Sequence, residues 1–122
     1  MPVNICLNTE IVKTEALLDS GAGGEFIDQN YANTLKLELR TLPKPIAALN
    51  VDGTLNKKGT IKHYVELILD IAGKIETLRL FVTGLGKQKM ILGFPWLQKA
   101  NPLIDWQTGT FKWQHSPRRI DF

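Results

Sequence analysis

Cysteine is almost absent from this chain of 122 residues, in which Cys6 is the only one. A single cysteine excludes an internal disulfide and a cysteine-rich zinc site, and it is typical of proteins in reducing compartments. No apolar run approaches the length that spans a membrane. The chain also does not open on the basic and apolar regions of a secretory signal. These absences predict a protein without membrane contact.

Concentrated positive charge is absent too, although 15 Lys and Arg stand against 12 Asp and Glu. The lysines are scattered, and the Arg118-Arg119 pair near the end has no interleaved aromatic residues. We therefore expect no nucleic-acid partner. The alternative, a nucleic-acid-binding β-barrel, would show affinity that falls steeply with salt. The three tryptophans are predicted to pack in a core or an interface: Trp96, Trp106 and Trp113.

Histidine is scarce, and the residue sets of several hydrolase classes are missing. His63 and His115 stand alone, and neither is clearly paired with Cys6. The chain has no Gly-x-Ser-x-Gly turn, no His-Glu-x-x-His helix and no phosphate-binding glycine loop. Serine, cysteine and metal-dependent hydrolysis therefore lack their usual residues, and we expect neither a metal nor a cofactor.

Short, alternating apolar segments bounded by turn residues are what the chain has in quantity. With 43% hydrophobic and 22% charged residues, the composition is that of one soluble domain. The alternation predicts a mainly β fold, closed or sandwich-like, with two short helices. The predicted strands cover residues 3–7, 11–18, 37–42, 61–71, 74–82, 103–106 and 110–113, and the second of them delivers Asp19.

Proline and glycine mark the turns in the middle of the chain. Pro43 and Pro45 are expected to break the strand that begins at residue 37. Asp52-Gly53 favours the tip of a hairpin that runs from about residue 47 to about residue 56. Lys57-Lys58 is predicted to lie in a solvated turn after this hairpin.

Two helix starts can be recognised from their first residues. Asp28 is placed to cap a short helix over residues 29–35, since its carboxylate can accept a bond from the first free N–H groups. Pro95 is suited to begin a helix that covers residues 96–100, because its fixed φ matches the first helical position. Asn101-Pro102 is predicted to end this second helix.

One stretch, Ala16-Leu17-Leu18-Asp19-Ser20-Gly21-Ala22, differs from ordinary turn sequences. Asp-Ser-Gly alone is common in turns, but here an apolar strand delivers the aspartate next to a hydroxyl and to small residues. Glycine lets the backbone turn tightly and leaves room for a ligand to approach. A carboxylate held in this way suits acid–base catalysis, which needs a fixed position, little water and nearby donors.

Carboxylate catalysis of hydrolysis needs two carboxyl groups that share a proton, one to activate water and one to protonate the carbonyl oxygen. One chain offers only Asp19 in such a setting, since Asp52, Asp70, Asp105 and Asp121 are assigned solvated or turn roles. A two-fold homodimer would supply the second Asp19 across its axis. Because two close carboxyls cannot both ionise easily, the pair is expected to favour mildly acidic pH.

The sequence resembles the retropepsin-like aspartic proteases, specifically those of Gypsy-type long-terminal-repeat retrotransposons and their domesticated relatives. The resemblance covers nearly the whole chain and rests on several motifs in order. Residues 17–22 followed by Phe26-Ile27-Asp28 are similar to the active-site strand and turn. Ile91-Leu92-Gly93 with Trp96-Leu97 is similar to the downstream glycine element and its helix. Four further stretches match in position: Leu42-Pro43-Lys44-Pro45, Asp52-Gly53, Asn101-Pro102 and Ile104-Asp105-Trp106.

This resemblance implies roles for the residues of the active-site turn. Asp19 would be the catalytic carboxylate, and Ser20 the hydroxyl that locks the two active-site loops together across a dimer. Gly21 would bind the substrate backbone through its carbonyl, with Ala22 supporting the same turn and Gly23 beside the substrate.

The resemblance also implies the residues that surround an extended peptide. The hairpin tip would be the flap that covers the substrate: Val51, Asp52, Gly53 and Thr54. Lys89 and Ile91 would line side-chain subsites. Residues 103–113 and 3–7 become candidates for the dimer interface, because chain termini complete the dimer sheet in this family.

Two positions depart from the family pattern. Family members commonly carry Thr or Ser where this chain has Gly23, and often Asn where it has Glu25. Loss of a hydroxyl loosens the turn, and a further carboxylate would raise the proton affinity of the catalytic pair if it pointed inward. Neither departure alters Asp19 or Ser20, so activity is expected to survive.

The resemblance therefore implies a homodimeric aspartic endopeptidase that cuts a retrotransposon polyprotein in the cytoplasm or inside particles. The protease domain is expected to span residues 1–115, and the polar, basic residues 116–122 to form a flexible tail. The alternative is that the fold is a dimerising or peptide-binding module with little or no proteolysis. An Asp19→Asn variant discriminates the two, because only an aspartic protease loses cleavage with that carboxyl group.

Overall fold

The structure, a computed structural model, describes residues 1–49 and 55–113. Several predictions therefore concern residues outside the described ones: His115, residues 116–122 of the predicted tail, and the predicted flap tip with Val51, Asp52, Gly53 and Thr54.

Ten strands and two short helices make up the described part of the chain. The first half contains β1 (Pro2–Cys6), β2 (Ile11–Glu15), β3 (Leu17–Asp19), β4 (Phe26–Asp28), α1 (Gln29–Thr34) and β5 (Arg40–Leu49). The second half contains β6 (Leu55–Ile71), β7 (Lys74–Thr83), β8 (Met90–Gly93), α2 (Phe94–Ala100), β9 (Leu103–Asp105) and β10 (Thr110–Lys112). Neither helix is long and apolar enough to cross a membrane, and these are the helices of the described residues.

Eight of the strands form one curled sheet in the order β2-β1-β6-β7-β4-β8-β3, with β5 paired to β6 beside this path. Most neighbours are antiparallel, but β3 runs parallel to β8 and β4 runs parallel to β7. The remaining strands, β9 and β10, pair with each other in a separate two-stranded sheet. The predicted mainly β architecture with two short helices is confirmed.

The core lies against one face of the curled sheet, as the two-residue alternation predicts. In β6 the alternate residues Val65, Leu67, Leu69 and Ile71 are all buried, and each apolar side chain removed from water contributes about 1.5–3 kcal/mol. Helix α2 adds Trp96, which is also buried. The alternation in β7 is less regular than the sequence suggested: Ile75, predicted as part of the framework, lies on the opposite face and is 67% exposed.

Residues 11–18 are not one strand, so the prediction that a hairpin strand delivers Asp19 is wrong. The chain changes partner at Ala16, which is buried and exchanges backbone hydrogen bonds with Met1. Before this residue β2 pairs with β1, and after it β3 pairs with β8. The short strand that carries Asp19 is therefore fixed by a part of the chain that is more than 70 residues later in sequence.

The prolines do not end a strand, because β5 continues through Pro43 and Pro45 to Leu49. Among the described strands, β5 pairs only with β6. Its register shifts between Thr41 and Ile46, where the missing N–H groups of the prolines cost no regular ladder bond. Lys57-Lys58 was expected in a turn but belongs to β6, which begins at Leu55. The hairpin that carries the predicted flap is thus longer than expected on both sides.

Strand β1 has no free edge with which to complete a dimer sheet. It pairs with β2 on one side and with β6 on the other. Val3 and Ile5 are buried in the core rather than presented at a surface. The expectation that residues 3–7 lie at a dimer interface is therefore wrong for the backbone of residues 4–6 and for these two side chains.

Both helices begin close to the predicted residues. Asp28 Oδ2 accepts a hydrogen bond from the Tyr31 N–H at 3.1 Å, which caps α1 as expected. Pro95 lies in the first turn of α2, which starts one residue earlier at Phe94. Helix α2 ends where Asn101 adopts a left-handed conformation with φ of 46°. Local cap chemistry thus defines both short helices.

Candidate active site

Asp19 is the last residue of β3, and its carboxylate is held by its own turn. The Gly21 N–H donates to Asp19 Oδ1 at 2.9 Å, and the Ala22 N–H donates to the Asp19 carbonyl at 3.0 Å. The side chain is half-buried, so one part of the carboxylate remains reachable from solvent. Strand, turn and two hydrogen bonds therefore fix the position of this group before any ligand arrives.

The active-site loop, residues 20–25, crosses directly over the end of β8. The Phe94 N–H donates to the Ala22 carbonyl at 2.9 Å. A Cβ atom on Gly93 would overlap the Gly24 carbonyl and lie 2.7 Å from the Ala22 carbonyl oxygen. Since Gly93 is also the register partner of Asp19, only glycine allows the loop to lie this close to the strand beside the carboxylate.

The other glycines of the loop have different surroundings. A Cβ on Gly21 would lie 3.3 Å from Asp19 Oδ1, so a side chain there would press on the carboxylate. Gly24 is buried against the Phe81 and Phe26 rings, 3.4 and 3.5 Å from its Cβ position. Gly23 is exposed, with no atom within 4 Å of its Cβ position. The missing hydroxyl at Gly23 therefore removes no packing contact in this chain.

Glu25 bonds to the start of α2. Its Oε2 accepts the Trp96 N–H at 3.3 Å, and a second backbone bond comes from Gly93. Burial raises the pKa of Glu25, and these two hydrogen bonds lower it by less than burial raises it. The carboxylate thus ties the active-site loop to α2, a role that the sequence did not indicate.

The register of the sheet places several side chains on the same face as Asp19. Leu17 pairs with Ile91 and Asp19 pairs with Gly93, so Ile91 lies on the face of the carboxylate, two residues along β8. Phe26 in turn pairs with both Ile91 and Phe81, which extends this face across four strands. We call Asp19, Ile91, Phe26 and Phe81 the catalytic face of the sheet.

Phe26 and Phe81 were not among the residues predicted for the site. Their ring centroids are 5.9 Å apart, and both side chains are half-buried. A signal was present in the sequence: Phe81 stands between Leu80 and Val82, which point to the core, so it had to point to the opposite face. A large apolar residue on the strand face that points away from the core indicates a second apolar surface on that face.

The remaining predicted substrate residues are only partly described. Lys89 is exposed in the loop before β8, with its Nζ 5.2 Å from the centroid of the Tyr31 ring. The predicted flap residues Val51, Asp52, Gly53 and Thr54 lie outside the described residues. The structure therefore brings Ile91 to the face of Asp19 and leaves the substrate role of Lys89 a prediction.

Two of the aspartates that were assigned solvated or turn roles lie among the described residues, and both bind the backbone of a turn. Asp70 Oδ1 accepts the Gly73 N–H at 3.0 Å in the turn between β6 and β7. Asp105 Oδ1 accepts the Gln107 and Thr108 N–H groups, and these bonds lower the pKa of Asp105. Asp52 and Asp121 lie outside the described residues. In residues 1–49 and 55–113, no three His, Cys, Asp or Glu side chains are grouped so that they could hold a metal ion.

An open groove of about 430 Å³ begins at Ser20, the residue next to Asp19. Its other walls come from α2 and from the segment around β9, and they include Phe94, Leu97, Ile104 and Trp106. Large apolar side chains are exposed here, with Phe94 at 49% and Trp106 at 66%. We call this surface the Ser20 groove.

The three tryptophans differ in their surroundings. Trp96 Nε1 donates to Glu76 Oε2 at 3.2 Å, and Trp113 Nε1 donates to the Ile71 carbonyl at 2.9 Å. The rings of these two residues are in edge contact, with centroids 5.8 Å apart. Trp106 has no hydrogen bond or ring contact to a described residue. Two tryptophans thus pack within the chain and one is left at the Ser20 groove.

Comparison with known proteins agrees with this geometry. Residues 15–118 match the family described as the PEG10/RTL1 protease domain. The chain belongs to this family. The match covers the Asp19 turn, the catalytic face and the Ser20 groove, so the retropepsin-like resemblance inferred from the motifs is confirmed.

A solved structure shares the fold of this PEG10/RTL1-type protease domain. The retroviral protease-like domain of Ddi1 from Leishmania major superposes with a TM-score of 0.56 and 18% sequence identity. The alignment covers 92% of this chain and 84% of that domain. At this identity the likeness concerns the fold, and it confirms the retropepsin-like class predicted from the sequence.

The contact between the loop and Gly93 predicts opposite results for two glycine substitutions. We expect Gly93→Ala to lower the free energy of unfolding by about 1–3 kcal/mol or more, since its Cβ meets backbone that cannot move independently. Gly23→Ala, with open space around its Cβ, is the matched control and should be neutral or stabilising by up to about 1 kcal/mol. Denaturant unfolding of both variants measures this, and equal effects would contradict the account.

The raised pKa of Glu25 predicts a pH-dependent stability. The folded protein binds the proton of Glu25 more tightly than the unfolded chain does. Protonation of Glu25 therefore contributes fully to the free energy of unfolding below the unfolded pKa, and this contribution is lost as the pH rises through the folded pKa. The free energy of unfolding of the wild type, minus that of Glu25→Gln, should therefore fall as the pH rises above the ordinary glutamate pKa of about 4.3. Glu38→Gln, at an exposed position, is the control. A difference that rises with pH would show that the sign is wrong.

Proposed function

We propose that this chain is an aspartic endopeptidase that works as a homodimer, with one Asp19 from each copy in a shared active site. The observation that carries the proposal is the position of Asp19. Its carboxylate ends a strand, is fixed by the Gly21 N–H at 2.9 Å, and stands beside the apolar Ser20 groove. Membership in a protease domain family supports the same reaction.

The need for a second copy follows from the chemistry. Peptide hydrolysis by carboxyl groups uses one ionised and one protonated group, and this site holds a single aspartate. Two copies that bring their Asp19 residues together must also cover the adjoining Ser20 on each side. The Ser20 groove, with Phe94 and Trp106 exposed, provides apolar surface for that contact. In a two-fold dimer, the same surface is used by both copies.

The proposed reaction needs no group beyond water and the two carboxyls. The ionised carboxylate takes a proton from a water molecule, whose oxygen attacks the peptide carbonyl carbon. The other carboxyl group donates its proton to the carbonyl oxygen, which gives a neutral tetrahedral diol. The carboxyl group that took the proton from water then gives it to the peptide nitrogen, and the other carboxylate takes a proton from one hydroxyl of the diol. The C–N bond breaks, an amine and a carboxylic acid leave, and the carboxyl pair returns to its starting state. The hydrogen bond from Gly21 keeps one oxygen of Asp19 oriented throughout.

The proposed substrate is an extended peptide segment of a polyprotein, bound across the catalytic face. Ile91, Phe26 and Phe81 offer apolar surface beside the carboxylate on the same side of the sheet. The predicted flap, residues 51–54, would cover the peptide from the other side. By its resemblance to Gypsy-type proteases, we propose that the enzyme acts in the cytoplasm or within particles.

Removal of the Asp19 charge should abolish cleavage without unfolding the protein. We expect Asp19→Asn to lower kcat/KM on a diverse peptide pool at about pH 5 by a factor of about 10³ or more. For the wild type, specific activity should rise with enzyme concentration, because the active species is the dimer. Undiminished cleavage by the variant would show that Asp19 is not the catalyst. A folded wild-type dimer that cuts no peptide would favour the peptide-binding module.

If the Ser20 groove is the dimer interface, dimer affinity should depend on Trp106, the exposed tryptophan that lines it. We expect Trp106→Ala to raise the dimer dissociation constant by about tenfold or more, as truncation of a central aromatic side chain does in interfaces. Ile75→Ala is the control, because Ile75 is as exposed but lies near the start of β7 and does not line the groove. Sedimentation equilibrium of both variants measures the constant. Equal constants for the two variants would exclude the groove from the interface.

A further inference from the structure

A second carboxylate near the catalytic face has both of its oxygen atoms occupied. Asp28, the last residue of β4, accepts the Tyr31 N–H on Oδ2 at 3.1 Å and the Leu85 N–H on Oδ1 at 2.9 Å. Its own N–H donates to the Lys89 carbonyl at 2.9 Å. One residue therefore holds the start of α1 and both ends of the segment between β7 and β8. We call this segment, residues 84–89, the basic loop.

The basic loop has few other attachments to the described part of the protein. Within it, the Gln88 N–H and the Leu85 carbonyl are 3.4 Å apart, at the long end for a hydrogen bond. Gly86 takes a left-handed φ of 68°, and the side chains from residue 86 to residue 89 are exposed. The long-range bond from Asp28 to Leu85 joins residues 57 positions apart. Without that bond, the backbone of Leu85 would no longer be held to β4.

The loop stands at one end of the catalytic face. It leads directly into β8, where Ile91 lies two residues before Gly93, the partner of Asp19. From Lys89 to Gly93 the strand advances about 13 Å, which is the length of about four extended residues. A peptide that is cut beside Asp19 and lies along β8 therefore brings a residue within about four positions of the scissile bond to the loop.

The positive charge of the basic loop is not neutralised by ion pairs with the described residues. Lys87 and Lys89 are both exposed, and neither forms an ion pair with a described residue. Lys89 lies over the Tyr31 ring, which leaves its ammonium free to donate hydrogen bonds. The nearby carboxylate of Asp28 is engaged by two backbone N–H groups. An acidic side chain from outside would therefore meet two cations at this end of the face.

We propose that the basic loop selects peptides with an acidic side chain within about four residues of the scissile bond, and that Asp28 is the positioning residue that holds the loop for this purpose. The proposal rests on the proposed function, because it takes Asp19 as the point of cleavage. Asp28 touches no substrate in this account. It acts through the backbone of Leu85, and its effect is on selectivity.

The test compares matched octapeptide libraries in which one position at a time is fixed as Glu or as Gln. Cleavage by the wild type and binding to the Asp19→Asn variant are measured with the same libraries. We expect Glu to be favoured over Gln by about two- to fivefold at one position, as for a solvent-exposed charge pair. In the double variant Lys87→Gln, Lys89→Gln, this ratio should approach one. Lys13→Gln, an exposed lysine on β2, is the control and should retain the full ratio.

The role of Asp28 is separated from helix capping by its replacement with serine. Asp28→Ser keeps a side chain that caps helices well, but one too short to hold Leu85 as well. We expect the Glu to Gln ratio to fall toward one in this variant, which a purely structural role would not cause. Asp28→Asn, which conserves the volume and has one oxygen in place of two, is the second variant if Asp28→Ser unfolds. Thermal unfolding is measured first for both.

Three outcomes decide between the proposals. A ratio near one at every position of the wild-type libraries would overturn the acidic selectivity. A full ratio in folded Asp28→Ser and Asp28→Asn would overturn the role of Asp28. If the wild type cuts nothing, the proposed protease function fails, and the binding ratio measured on Asp19→Asn still decides whether the basic loop selects acidic peptides.

Discussion

The close crossing of the active-site loop over Gly93 is the constraint on which the rest of the site depends. The Phe94 N–H bond to Ala22 and the contact of two loop carbonyls with the Gly93 backbone fix where Asp19 points. Glu25 adds a tie from the same loop to the start of α2. Because β8 is itself paired between β3 and β4, this crossing ties the Asp19 carboxylate to two neighbouring strands of the sheet. A site fixed in this way requires little reorganisation when a substrate binds.

For the proposed reaction, the same construction leaves the site incomplete within one chain. A single aspartate cannot both activate water and protonate a carbonyl, and the surface beside it is apolar and open. Strand β1 is paired on both edges and contributes no free strand, whereas β9 and β10 pair only with each other among the described strands. The exposed Trp106 lies on this side of the molecule. The chemistry and the exposed surface therefore favour the same partner, a second copy of the chain.

The features that were predicted correctly from sequence patterns are those that depend on neighbouring residues in the chain. The alternation of apolar residues predicted the buried face of β6, and the cap residues Asp28 and Pro95 predicted the two helices. Both features depend on residues that are only a few positions apart in the sequence. The change of partner at Ala16 was missed because the pairing of β3 with β8 joins distant segments that alternation does not relate. Glu25 could be recognised as unusual, but its contact with α2 depends on tertiary packing. The retropepsin-like motifs located Asp19. The phase of β7 could have indicated that Phe81 points away from the core, but its place beside Phe26 required the sheet register, and the bond from Leu85 to Asp28 required the described contacts.

Subunit mixing tests the central claim most directly, because it asks whether one active site needs two Asp19 residues. Inactive Asp19→Asn chain is added in increasing amounts to a fixed amount of wild type, after dissociation and reassociation of the two. If both Asp19 residues of a dimer are needed, cleavage falls as mixed dimers form. At a fixed amount of wild type the total cleavage is then proportional to the wild-type fraction, and the cleavage per total chain is proportional to its square. Cleavage that stays constant as the inactive chain is added would mean that each chain works alone, and the shared site would be wrong.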